Sequence, residues 1–388
     1  MYERLCKPLE SKSFFLFGAR GVGKSSLLEK IFNKTPQNEI FWIDLLLPEE
    51  EENYINSPQR LSEMITQKKP EWVIIDEVQK APKLLDQVHY EIEKRKIKFA
   101  LTGSSARKLK RGGANLLAGR AFNNELYPLS SLELSNDFHL NEALRWGTLP
   151  EVYKLQSELE KKEYLKSYVQ TYLKEEVYQE QLVRNTVPFR KFLPIAAQMN
   201  GKILNFNNLA KDLHVDWATV KNYYEILEDT HLGFILPAYS KSLRKQQLKG
   251  NRFYFFDIGV QRALKKELNL PIDFNQNIGN LFEHFIVLEL MRLNHYFRKD
   301  FTFSYISTQG GLEVDLVIER PGEKTVLCEI KSTNSVREDH LKHLLALKKD
   351  YPEYKSLCIS QEKEARNVSG IEVLPWKLAF DALGFSGK

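Results

Sequence analysis

The sequence predicts an α/β protein: a parallel sheet between helices, then a helical lid, a winged helix-turn-helix and a second α/β unit. Three observations predict it. Between Phe14 and about Pro128, apolar strands alternate with amphipathic stretches, the pattern of a sheet covered on both faces. From Leu132 to about Arg190 the apolar residues switch to helical spacing, as in Tyr164, Leu165, Tyr168, Val169, Tyr172 and Leu173. After Gly279, a helix precedes two short apolar strands joined by a turn. These shifts divide the 388 residues into segments 1–130, 131–190, 191–265 and 266–388.

The first strand, Phe14 to Phe17, runs into G-A-R-G-V-G-K-S at Gly18 to Ser25, and a helix follows from Ser26 to Phe32. This strand-loop-helix pattern is that of a phosphate-cradling P-loop. Gly18, Gly21 and Gly23 let backbone amides approach a polyphosphate, and the helix adds its positive N-terminal dipole. The candidate nucleotide ligands are therefore Gly18, Ala19, Arg20, Gly21, Val22, Gly23, Lys24, Ser25 and Ser26. Lys24 would reach the β and γ phosphates, and the Ser25 hydroxyl would bind Mg2+.

A second strand, Ile40 to Leu45, precedes the acid run Glu49 to Glu52, expected in a solvated loop. Trp72 to Glu77 reads W-V-I-I-D-E, a strand buried on both faces and tipped with carboxylates. Asp76 would hold Mg2+, and Glu77 would act as general base on the water that attacks the γ phosphate. The strand Lys98 to Thr102 ends in T-G-S-S, where Ser104 or Ser105 would either bond the γ phosphate or cap a helix. Arg107 and Arg120 are candidates for the cation that neutralises transferring charge, Arg120 as a finger into a neighbouring subunit, and Arg184 is a further phosphate-sensor candidate. N-K-T-P at Asn33 lacks the Asp of a guanine-reading motif.

Hydrophobic residues at 43% and charged residues at 28% are those of an ordinary globular protein. No apolar run approaches the roughly 20 residues that cross a bilayer, and Met1 to Pro8 has no signal-peptide core, so a cytoplasmic protein without a membrane partner is expected. Cys6, Cys328 and Cys358 lie apart without metal spacing, as fits a reducing compartment. His340 and His343 read as a polar helix face. The net charge of +5 does not by itself establish nucleic-acid binding. Local clusters say more: Lys241 to Arg252 holds five bases and no acid, and Arg107 to Arg111 holds four.

Phe192 to Asp257 reads as three helices and a hairpin. Helix Phe206 to Leu213 is followed by the turn His214 to Asp216, with Asp216 as N-cap of a helix through Trp217, Val220, Tyr224 and Leu227. Strands Phe234 to Tyr239 and Arg252 to Asp257 would flank the basic loop as a wing, presenting Thr219, Lys221 and Asn222 to a major groove. Packing against protein is the alternative use of such a unit.

In the last segment a helix, Gly279 to Leu293, carries Glu283 and Glu289, and strands Leu312 to Ile318 and Thr325 to Ser332 are joined by R-P-G-E-K. Asp315 and Glu329 are equidistant from Gly322 and would face one another across a hairpin, while Glu329 and Lys331 share a face. Two facing carboxylates can bind Mg2+ and a lysine can orient water, a set suited to phosphodiester cleavage. A surface ladder of opposite charges is the alternative. The apolar Leu316, Val317, Leu327 and Ile330 favour central strands, where an Asp is costly unless used.

The ordered set G-A-R-G-V-G-K-S, V-I-I-D-E, L-T-G-S-S and L-A-G-R-A, then Y-L-K-E-E-V, F-Y-F-F-D-I-G-V and G-N-L-F-E-H-F, resembles a family of prokaryotic AAA+-like ATPases over nearly the whole chain. The tail, with Glu283, Asp315 and E-I-K at Glu329 to Lys331, is similar to the PD-(D/E)xK fold of restriction endonucleases. The resemblance implies ATP binding and hydrolysis, a homo-oligomer, and a nuclease-like tail with Glu283, Asp315 and Glu329 as metal ligands; together with the residues read above, the expectation is a Mg2+-dependent ATPase acting on DNA. A nucleotide-switched oligomeric scaffold with an inactive tail is the rival reading.

Overall fold

The computed structural model describes residues 2–105, 117–172, 186–240, 250–271, 278–308 and 310–385. Its first sheet has the order β2-β3-β4-β1-β5 and is parallel throughout, built from β1 (Ser13–Phe17), β2 (Ile40–Asp44), β3 (Trp72–Asp76), β4 (Lys98–Gly103) and β5 (Ala121–Glu125). Helices α1 (Lys24–Phe32), α2 (Pro48–Asn56), α3 (Arg60–Lys68) and α4 (Leu84–Arg95) connect the strands. Strand side chains alternate between faces, and two apolar cores result. Phe14, Leu16, Trp72, Ile74 and Ala100 pack on one face. Phe15, Phe17, Val73, Ile75, Phe99 and Leu101 pack on the other.

The acid run corrects the sequence reading. Glu49, Glu50 and Glu51 lie in the first turn of α2 behind Pro48, not in a loop. Proline suits the first helical position, and carboxylates there complement the positive helix end. Strand β5 was not foreseen, because its two asparagines and half-exposed residues hide the strand pattern.

Among the described residues six further α-helices follow: α5 (Ser131–Leu134), α6 (Leu140–Trp146), α7 (Glu158–Tyr172), α8 (Thr186–Gln198), α9 (Phe206–Leu213) and α10 (Trp217–Asp229). Asp216 caps α10 by accepting from the Thr219 amide. A two-stranded antiparallel ladder, β6 (Gly233–Leu236) with β7 (Arg252–Phe255), completes the helix-turn-helix unit. Leu165, Phe192, Leu209, Val220, Tyr224 and Phe253 pack in the same core as Phe14 and Ile74, so apolar packing is continuous from the first sheet into this unit.

Helix α11 (Ile258–Leu264) leads to α12 (Ile278–Tyr296) and a mixed six-stranded sheet of order β12-β13-β11-β10-β9-β8. Its strands are β8 (Thr302–Ser307), β9 (Glu313–Glu319), β10 (Val326–Lys331), β11 (Lys355–Ser360), β12 (Arg366–Val368) and β13 (Ile371–Pro375), with α13 (Lys342–Asp350) and α14 (Trp376–Ala382). The β9-β10 register pairs Val326 with Ile318 and Cys328 with Leu316, the one centred on Gly322.

Helix α12 is buried along most of its length and binds all parts together. Arg292 donates to the carbonyls of Leu129 and Phe256, to the Thr148 hydroxyl and to Glu289. Glu289 in turn accepts from the amide and hydroxyl of Ser131. One turn on, His295 accepts from the Glu125 amide and Tyr296 from the Tyr127 amide. Among the described residues, no helix is long and apolar enough to cross a membrane.

Candidate functional site

The glycine loop leaves β1 beside β4, with the Gly18 amide 3.3 Å from the Gly103 carbonyl. A Cβ on Gly18 would lie 2.2 Å from the Leu126 carbonyl oxygen, so no larger residue fits there. Gly21 and Gly23 hold φ of 79° and 93°, the left-handed region that side chains disfavour. Gly23 is the residue from which α1 starts. The Lys24 ammonium folds back over the loop, donating to the carbonyls of Gly18 at 3.0 Å and Ala19 at 3.3 Å. It also lies 3.5 Å from Glu77. Arg20 is exposed, Val22 buried, and Ser25 and Ser26 half-buried at the helix start.

Both acids at the tip of β3 meet this loop. Ser25 donates to Asp76 at 2.5 Å, and the Thr102 hydroxyl of β4 donates to the other Asp76 oxygen. The same Thr102 oxygen accepts from the Glu77 amide at 2.9 Å. Glu77 has φ 59°, a strained left-handed backbone for a non-glycine residue. Its carboxylate accepts from Gln79 and, at 3.2 Å, from Ser104, which itself accepts from Gln79 at 2.9 Å. Burial alone would raise the Glu77 carboxyl, yet Lys24 and the hydrogen bonds from Gln79 and Ser104 outweigh it and leave it below the ordinary range. Asp76 goes the other way: burial pushes it up, against the hydrogen bonds from Ser25 and Thr102. The hydroxyl of Ser25 and the buried carboxylate of Asp76 are hard oxygen donors converging on one point, a set that fits Mg2+.

Residues outside the sequence reading hold the loop from behind. Arg4 donates to the Val22 carbonyl at 2.7 Å, to Glu133 at 2.9 Å and to the Tyr127 carbonyl at 2.5 Å. Tyr168 of α7 donates to the Arg20 carbonyl at 2.9 Å, so one rung of the predicted tyrosine ladder touches the loop. A cavity of about 570 Å3 opens beside Gly23, Ser26 and Leu27, walled by Tyr2, Arg4 and Tyr153. Arg120 pairs with Glu93 of α4. Arg107, Arg184 and the basic loop 241–249 lie outside the described residues.

In the tail, Ile330 donates its amide to Asp315 at 2.8 Å and Lys331 donates to Glu329 at 2.6 Å. Glu283 accepts from Tyr254 at 2.5 Å and from Arg252 at 3.3 Å. Burial, then the nearby Asp315, pushes both Glu283 and Glu329 above the ordinary carboxylate range. Among the described residues, no group of three or more His, Cys, Asp and Glu is placed to hold a metal ion. The expected ligands Glu283, Asp315 and Glu329 are engaged by protein donors in this arrangement, Glu283 by Tyr254 and Arg252, Asp315 by the Ile330 amide and one oxygen of Glu329 by Lys331.

Comparison with known proteins bears on the first sheet. Residues 10–135 match the model of an AAA domain. Parallel sheet, glycine loop and this match together support the P-loop ATPase class for the front of the chain. Residues 137–271 and 278–379 match two domains of unknown function, DUF8612 and DUF4143. Among curated relatives, the uncharacterized protein MJ1544 of Methanocaldococcus jannaschii is 24% identical, over 86% of this chain and 78% of its own. An uncharacterized protein of Haemophilus influenzae is 23% identical over 92% and 91%. Among solved structures, the replication initiator DnaA bound to AMPPCP and single-stranded DNA aligns with 56% of this chain and 82% of its own, at 15% identity and a TM-score of 0.30. Domain III of Thermotoga maritima DnaA aligns with 56% and 84%, at 15% identity and a TM-score of 0.22.

Proposed function

We propose that the chain binds ATP with Mg2+ through Gly18 to Ser26 and hydrolyses it, using the cycle to act on DNA through its helix-turn-helix unit. The observation that carries this reading is the convergence of Lys24, Ser25, Asp76, Glu77 and Ser104 at the ends of three neighbouring strands, β3, β4 and β1. Loop amides and the α1 N-terminus receive the phosphates, with Lys24 turning from the loop carbonyls toward them. Ser25 and Asp76 would hold the metal, which supplies charge neutralisation of the phosphates. Glu77 takes the proton of the attacking water, held in place by Gln79 and Ser104. The cavity beside Ser26 and Tyr153 suits the base and ribose, being continuous with the helix start and walled by aromatic rings.

Calorimetry of the full chain with ATP and Mg2+ tests the first part. Association is expected, and Lys24→Ala is expected to weaken it about 10- to 100-fold through loss of charge-assisted hydrogen bonds to phosphate. No heat with the wild type would end the reading. For DNA, Trp217 is 55% exposed at the start of α10, with the exposed Lys221 one turn on. Fluorescence anisotropy with duplex DNA is expected to register binding, and Lys221→Ala to reduce the salt slope by about 1. Wild-type protein that leaves DNA untouched at low salt would confine the helix-turn-helix to protein packing.

A further inference from the structure

The acidic pocket of the tail contains a cation that does not come from its own sheet. Arg252 belongs to β7, whose ladder partner is β6 of the helix-turn-helix unit. Its side chain is 4% exposed and pairs with Glu283 of α12 and Glu313 of β9. The guanidinium lies 4.4 Å over the ring of Tyr305, and the Tyr305 hydroxyl donates to the Gly250 carbonyl at 2.7 Å, anchoring that platform to the start of β7. Two residues on, Tyr254 gives Glu283 a second donor from the same strand. Near this clamp, Glu329 is only 5% exposed and one of its oxygens has no hydrogen-bond partner. A buried carboxylate oxygen left bare beside Asp315 and Glu283 is a demand for positive charge that Lys331 alone does not meet.

We infer that Arg252 is the resident cation of this pocket and holds it closed to divalent metal ions, so that metal binding at Glu283, Asp315 and Glu329 requires β7 to withdraw. The physical reason is occupancy and charge. The guanidinium occupies one oxygen of Glu283, and a fixed positive charge at that place repels a second one. The pocket is thereby set by the position of the helix-turn-helix unit, which supplies the arginine.

The test uses the full chain without nucleotide in an Asp76→Asn background, so that the phosphate-loop metal ligands do not contribute. Mn2+ binding is followed by electron paramagnetic resonance and by the Mn2+-dependent rise in melting temperature. With Arg252 present, no Mn2+ is expected to bind in the tail. Arg252→Gln is expected to bind Mn2+ at least about tenfold more tightly, and adding Glu329→Gln or Asp315→Asn to abolish the gain. Arg252→Lys, which keeps the charge, is expected to remain closed. Should Arg252→Gln fail to fold, Glu313→Ala removes the half-exposed partner of the clamp and is expected to raise Mn2+ binding several-fold. Mn2+ uptake by the parent that is lost on Glu329→Gln would overturn the inference, as would absence of any gain in both Arg252→Gln and Glu313→Ala.

Discussion

Replacing Glu77 by Gln is expected to leave ATP binding near its starting strength and to slow turnover by about 10^2- to 10^4-fold, the usual worth of a positioned general base. Gln has the shape of Glu and still accepts hydrogen bonds at one oxygen, so the contacts from Gln79 and Ser104 largely survive. What disappears is the capacity to take a proton. Glu77 is suited to that role because Lys24 and two hydrogen bonds hold it ionised despite its burial. Its left-handed backbone, fixed by Thr102, aims the carboxylate at the loop. Single-turnover hydrolysis measured beside calorimetry separates the two effects. Unchanged turnover would move water activation to another residue.

The second large effect concerns stability. Arg292→Met is expected to cost about 3–5 kcal/mol, because it strands the fully buried Glu289 beside Ser131 and frees the carbonyls of Leu129 and Phe256. Adding Glu289→Gln should restore much of that loss, since the pair and not either member alone satisfies the interior. Denaturant midpoints of the two single variants and the double variant check it. A loss below about 1 kcal/mol, the scale of an exposed pair, would mean that the parts of the chain are joined by apolar contact alone.

Much of the candidate site's backbone was legible in the sequence because it is local. The loop, α1 and β3 are contiguous runs in which glycine freedom and unbroken apolar stretches leave few alternatives. The cap of α10 and the register about Gly322 were legible for the same reason, since turn chemistry acts over a few residues. Long-range partners were not. Arg4 bonds residues 18 to 292 positions away, and nothing in its own segment marks it. Thr102 ties Asp76 to Glu77 from the next strand, β4, and reads only as a strand end. Arg252 was counted with the basic wing, although its strand position turns it inward to carboxylates. Of the six tail strands among the described residues, only β9 and β10 are legible in the sequence, because the others are short or carry polar residues within or at their ends.

Helix α12, 19 residues and therefore about 28 Å from end to end at 1.5 Å per residue, carries Glu283 in its second turn and Tyr296 at its last residue. Tyr296 is bonded to Arg4, which grips the loop at Val22, and Glu283 is bonded to Arg252. The molecule therefore cannot be dissected into independent modules at the seam before residue 278. A fragment stopping there would leave Glu125, Tyr127, Ser131 and Thr148 without their partners, and its behaviour would report on a damaged molecule instead of an isolated domain.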